Sequence, residues 1–159
     1  MRRVALSSVL AWVIACGAEP AASPAIVTGP ETTDLYAASH SALRAPQRTV
    51  VTEAADWSSA WDAINAGVSP APPRPAVDLT KQAVIIAALG ERPTGGFAIR
   101  IDSVRAVEGG RAVYVTTTRP GPSCITTQAM TQPVHLVSVP ATAGATRFVE
   151  AETIKDCGS

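Results

Sequence analysis

The chain has 159 residues, of which 47% are hydrophobic and 16% charged, and its 13 basic and 13 acidic side chains give a formal net charge of zero. This length suits one globular domain of ordinary size. The balanced charge provides no basic surface of the kind that nucleic-acid binding requires, and the hydrophobic content argues against general disorder. Aromatic residues make up only 4% and prolines number 13, which argues against a long helical bundle.

Residues 1–15 have the proportions of a secretory signal peptide: a short basic region precedes an apolar stretch at 4–15. The stretch is too short to cross a bilayer core, which takes about 20 residues of helix. It ends at Ala15-Cys16, which resembles the lipobox of bacterial lipoproteins, where the cysteine carries lipid. The sequence therefore predicts lipidation of Cys16. The alternative is an ordinary signal peptide cleaved nearby, with Cys16 incidental.

The predicted organisation is a signal peptide at 1–15, a flexible tether at 16–31 and one domain at 32–159. Lipid attachment would place the protein in the bacterial cell envelope. Gly17 stands where lipoproteins of an inner membrane usually carry Asp. This favours an outer membrane, with the domain facing the periplasm or the cell surface.

Two cysteines remain if Cys16 is lipidated, and an even pair in an oxidising compartment favours a disulfide between Cys124 and Cys157. Closing a loop of about 33 residues is worth roughly 3–4 kcal/mol on the chain-entropy model. The rival interpretation makes Cys124 a nucleophile with His135 and Asp156. That interpretation requires an environment that stabilises a thiolate.

One helix is predicted near residue 52, with Thr52 as its N-cap and Gly67 as its stop. Its apolar residues recur at the spacing of one helix face: Trp57, Ala60, Trp61 and Ile64.

Strands are predicted wherever apolar residues alternate or run together: 49–51, 83–89, 97–107, 113–116, 134–139 and 146–149. The run at 83–89 is wholly apolar, so we expect this strand to be buried on both faces. The expected fold class is α+β, mostly β, with an antiparallel sheet or sandwich and one early amphipathic helix.

The sequence contains no complete motif for nucleotide binding or catalysis. The glycines at 90, 95 and 96 lack the Lys and the Ser or Thr of a phosphate-binding loop, and a strand pattern follows them instead of a helix. No Gly-x-Ser-x-Gly occurs, so no serine hydrolase is indicated. No Cys-x-x-Cys occurs, and His40 and His135 are far apart in the sequence, so neither a metal nor a cofactor is predicted.

The segment 89–101, which reads LGERPTGGFAIRI, resembles the signature of the PrcB C-terminal domain family. Members show a hydrophobic strand, Gly, Arg-Pro-Thr-Gly-Gly, an aromatic residue and an alternating strand. The helix with Trp57 and Trp61, the turn at 120–124 and the segment 131–140 resemble the flanking parts, so the resemblance covers about 34–150. This chain departs from the pattern at Phe97, where Tyr is common, and at Val134, where an aromatic residue often follows the proline.

The resemblance implies a non-catalytic, lipid-anchored protein that binds, and stabilises, an exported partner such as a protease. The balanced charge argues against a nucleic-acid partner, no cofactor is expected, and the membrane is contacted only through the lipid. The expected partner-binding loop consists of Arg92, Pro93, Thr94, Gly95, Gly96 and Phe97.

Two other interpretations of this loop stay open. It also resembles the Pro-Thr-Thr-Gly-aromatic loops of chagasin-like inhibitors, so the protein could inhibit a protease through the loop. The loop could instead be only a tight turn, with Pro93 fixing its φ angle, the glycines allowing positive φ and Phe97 lying in the core.

Overall fold

The structure is a computed structural model that describes residues 32–158. Its elements in chain order are β1 (Thr33–Ala38), β2 (Gln47–Val51), α1 (Ala54–Ile64), β3 (Gln82–Ala88), β4 (Ala98–Val107), β5 (Gly110–Pro120), β6 (Val134–Pro140) and β7 (Ala145–Lys155). The predicted signal peptide, the tether and Cys16 lie outside the described residues. Within that range, no helix is both long and apolar enough to span a membrane.

The strands form two sheets, of which one is wholly antiparallel and the other mixed. The first has the order β1-β6-β3-β2 and contains only antiparallel pairs. The second has the order β4-β5-β7, in which β4 and β5 form an antiparallel hairpin but β7 runs parallel to β5. The predicted mostly-β fold with one helix is confirmed. After β5 the chain crosses to the first sheet, where it forms β6. When it returns to the second sheet, β7 therefore runs in the same direction as β5.

The core has two layers of side chains because α1 covers one face of the first sheet and the second sheet covers the other. β3 lies in the middle. One set of its side chains packs with the helix: Val84, Ile86 and Ala88. The alternate set packs with the second sheet: Ala83, Ile85 and Ala87. Successive side chains of a strand point to opposite faces, so the wholly apolar run is buried on both sides, as predicted.

Helix α1 buries Trp57, Trp61 and Ile64 against the first sheet. The predicted N-cap was wrong by one residue: the Trp57 N–H donates to the Glu53 carbonyl at 2.9 Å, so Glu53 and not Thr52 is the N-cap. Its side chain makes no capping bond. Tertiary packing of the two tryptophans therefore determines where this helix lies more than the cap does.

Arg48 joins the two sheets at one side of the molecule. From β2, its guanidinium donates to the Glu150 carboxylate on β7 at 2.7 and 2.9 Å and to the Ala88 carbonyl at 2.7 Å. A bidentate pair of this kind constrains geometry as well as contributing energy. The pair therefore links an edge strand of one sheet to an edge strand of the other.

Candidate functional site

Two loops meet at one end of the molecule: residues 89–97, called here the glycine loop, and residues 121–133, called the disulfide loop. Arg92 and Thr131 form an isolated antiparallel bridge, with N–H to carbonyl distances of 2.8 and 3.0 Å. The Gly95 N–H donates to the Thr127 carbonyl at 2.9 Å, and the Thr131 hydroxyl donates to the Thr94 carbonyl at 2.9 Å. Each loop therefore holds the backbone of the other in one conformation.

The expected partner-binding residues of the glycine loop divide into exposed and half-buried positions. Pro93 and Gly96 are exposed, while the other four are half-buried. The Arg92 guanidinium donates to the Leu89 carbonyl at 2.9 Å and lies 6.0 Å from the centre of the Phe97 ring. Arg92 thus supports the loop from within. The surface that a partner could touch is the tip around Pro93, Thr94 and Gly96.

The two glycines of the tip are required by packing and by backbone conformation. A Cβ atom on Gly95 would collide with the Thr127 hydroxyl of the disulfide loop. Gly96 has a φ of +86°, in the left-handed region that favours glycine. The Gly-Gly pair thus has a structural reason that is independent of any partner.

Phe97 lies partly in the core, as expected if the loop is only a tight turn. Its ring is half-buried and packs against the apolar layer between the sheets. It also lines a groove of about 250 Å³ together with Ala37, Ile99 and Val134. The groove opens beside the glycine loop, where the first residues of β4 and the last residues of β1 approach each other.

Cys124 and Cys157 form a disulfide with a Cα–Cα distance of 5.0 Å. Beside it, the Gly121 N–H donates to the Lys155 carbonyl at 2.9 Å. The disulfide loop is thereby attached to the end of β7. The structure leaves Cys124 no thiol, and the carboxylate of Asp156 accepts a hydrogen bond from Ser123 at 3.2 Å. The nucleophile proposed for Cys124, His135 and Asp156 is therefore not assembled.

Sequence analysis missed the exposed apolar residues of the disulfide loop. The Ile125 side chain is 102% exposed and that of Met130 is 53% exposed. The sequence did contain an indication that this loop is unusual, because residues 120–133 include no Asp, Glu, Lys or Arg. The cores of protein interfaces are depleted of charged residues, and this segment shares that composition.

His135 is a buried histidine that links both sheets near the groove. Its Nδ1 accepts the Ile101 N–H of β4 at 2.9 Å, and its Nε2 lies 3.3 Å from the Asp34 carboxylate of β1. This pattern corresponds to the neutral ring with its proton on Nε2. Burial lowers the pKa of His135 below its ordinary value of 6.5, opposed by the Asp34 charge and assisted by the Arg100 charge. The neutral ring thus links β6 to β4 and β1.

We expect the neutral His135 ring to make stability depend on pH. Because its folded pKa lies below the unfolded value, its contribution is complete above about pH 6.5 and is lost as the pH falls through the folded value. The free energy of unfolding should fall as the pH drops below about 6.5, by at most about 1.4 kcal/mol per pH unit. Urea unfolding at several pH values measures this slope.

Two variants serve as controls for the slope. His135→Asn keeps an acceptor near the Nδ1 position but does not titrate, so the decline that begins just below pH 6.5 should disappear. His40→Gln removes the exposed histidine beside Ser39 and should leave the decline unchanged. Equal slopes in the wild-type protein and in His135→Asn would refute this assignment.

The described residues contain no group of three or more His, Cys, Asp or Glu side chains that could hold a metal ion. Two mutually braced loops with an exposed tip and exposed apolar side chains occupy this end of the molecule. The fold is a two-sheet α+β domain.

Residues 83–140 match the family model described as PrcB C-terminal. The resemblance drawn from the motif is confirmed over this segment, which includes β3, both loops and β6. Neither the search of curated proteins nor that of solved structures found a match.

Proposed function

We propose that this protein is a non-catalytic, lipid-anchored component of the bacterial envelope that binds an exported protein through the tip of the glycine loop. A protease is the first candidate for the partner, on the strength of the match to PrcB C-terminal. The lipid would be attached at Cys16, for which the apolar stretch and the Ala15-Cys16 ending are the support. The anchor would hold the domain beside other envelope proteins.

One observation carries the proposal: the tip of the glycine loop is exposed while its backbone is fixed. Pro93 and Gly96 face solvent, yet Arg92 and Gly95 are hydrogen-bonded to the disulfide loop. A preformed loop binds without the entropic cost of ordering. Binding only the native state of the partner would stabilise it, by about 2.7 kcal/mol at a hundredfold excess over Kd.

The test is capture from native envelope extract with the chain that begins at residue 16, carrying Cys16→Ser. Thr94→Arg adds a long charged side chain at the tip but keeps the Thr94 carbonyl that bonds Thr131. Ser59→Arg adds the same charge on an exposed position of α1. We expect the parent and Ser59→Arg to retain the same exported protein, and Thr94→Arg to lose about nine-tenths of it.

All three proteins must first show the same melting temperature. An empty capture by the parent would contradict the proposed function, and equal retention by Thr94→Arg would place the interface away from the tip. If the captured protein is a protease, its activity in the presence of this domain distinguishes a stabilising subunit from an inhibitor. Preserved hydrolysis supports the stabilising subunit, and lost hydrolysis supports the inhibitor. A Cys16→Ser protein that still fractionates with membranes would contradict the lipid anchor.

A further inference from the structure

Exposed apolar side chains concentrate at the disulfide loop. Four large apolar side chains stand out as exposed among residues 32–158: Val68, Ile125, Met130 and Ile154. Ile125 and Met130 belong to the loop itself. The Ile154 Cγ2 atom lies 3.4 Å from the position of a Cβ on Gly121, at the loop's base. Single exposed apolar residues are ordinary, but three of these four lie in or beside one loop.

The absence of charged side chains from the disulfide loop limits what can cover that loop. Residues 120–133 carry no charged side chain in a chain that is 16% charged. Anionic lipid surfaces and acidic proteins are recognised by clusters of Lys and Arg, which this segment lacks. The cores of protein interfaces, in contrast, are depleted of charge. The chemistry therefore favours an uncharged apolar surface on a protein.

The shape of the loop limits the partner further. The Ile125 side chain is 102% exposed, so it projects from the surface and touches almost nothing of its own chain. The loop that carries it is fixed at three places: by the disulfide, by the Thr127 carbonyl and by the Arg92–Thr131 bridge. A fixed, projecting apolar side chain is fully buried only by a concave surface.

We propose that Ile125 is the anchor of the partner interface and that it inserts into a preformed, uncharged apolar cleft on the exported protein that the glycine loop contacts. This inference rests on the proposed function. It adds a residue outside the motif and states the chemistry of the partner's surface. Full burial of an isoleucine side chain at the centre of an interface makes it an energetic hot spot.

The experiment places photoreactive benzoylphenylalanine at position 125, 94 or 68 of the full chain in intact cells. Val68 is 53% exposed and lies outside both loops, so position 68 measures background. We expect position 125 to cross-link a protein that position 68 does not. The cross-linked peptide should be apolar and uncharged.

The protein so identified is then purified, and its Kd is measured for the parent, Ile125→Ser and Val68→Ser. Ile125→Ser should weaken binding at least about tenfold, whereas Val68→Ser should change it less than about twofold. Neither substitution should lower the melting temperature, since both side chains are exposed.

The outcomes separate this inference from the proposed function. Cross-links at position 94 but not 125, or an Ile125→Ser Kd close to that of the parent, would leave a partner-binding loop and overturn the anchor. A lipid adduct at position 125 without a second polypeptide would overturn it in favour of a membrane contact. No adduct at either loop would refute both.

Discussion

Trp61→Ala should lower the free energy of unfolding by about 3–5 kcal/mol, which is a large part of the stability of a domain this size. The Trp61 side chain is 4% exposed and packs edge-on against Tyr36 at 5.1 Å and Trp57 at 5.7 Å. Its indole N–H donates to the Pro72 carbonyl at 3.1 Å. Truncation would leave a cavity between helix and sheet and detach the proline-rich segment.

Trp61→Phe distinguishes the contribution of ring packing from that of the indole hydrogen bond. It keeps an aromatic ring but removes the indole N–H and part of the side-chain volume. We expect a loss of about 1–3 kcal/mol for this variant. Urea unfolding followed by far-ultraviolet circular dichroism measures both values. A loss below about 1 kcal/mol for Trp61→Ala would mean that the helix is not packed as described.

Loss of the disulfide is the second large expected effect. Replacing both Cys124 and Cys157 by Ser should lower the free energy of unfolding by roughly 3–4 kcal/mol, because the bond closes a loop with a sequence separation of 33 residues. The bond also attaches the disulfide loop to β7. Amide exchange should therefore accelerate locally at residues 122–130, more than in the central strand β3.

The matched control is the Cys16→Ser protein with its disulfide intact, which should show no reactive thiol after unfolding without reductant. Reduction of that protein should reproduce the stability loss of the double Ser variant. Two titratable thiols in the unreduced protein would contradict the disulfide and reopen the question of a reactive Cys124.

Local sequence patterns were sufficient to predict the elements that bury side chains at regular intervals along the chain. The spacing of Trp57 and Trp61 predicted α1, and the unbroken run in β3 predicted a strand buried on both sides. The strand β1 escaped prediction because none of its residues is fully buried and it carries a bulge between Asp34 and Tyr36. Without a regularly buried face, the alternation that marks a strand is lost.

The strand predicted at 146–149 is shorter than β7 for a related reason. All side chains from Glu150 to Lys155 are exposed, so no apolar pattern marks that half of the strand, which is held by its ladder with β5. The sequence likewise identified the glycine loop but not its contact with the disulfide loop. That contact joins Arg92 to Thr131 and Gly95 to Thr127, residues that are distant along the chain.

By itself, therefore, the sequence determined the fold class, the positions of the helix and the buried strands, the family motif and the cysteine pair available for a disulfide. These follow from side-chain periodicity and composition, which are local properties. Only the tertiary structure decided the parallel pairing of β7, the bracing of the two loops and the exposure of Ile125. Each of these depends on which distant segments pack together, and packing buries or exposes a side chain irrespective of its own type.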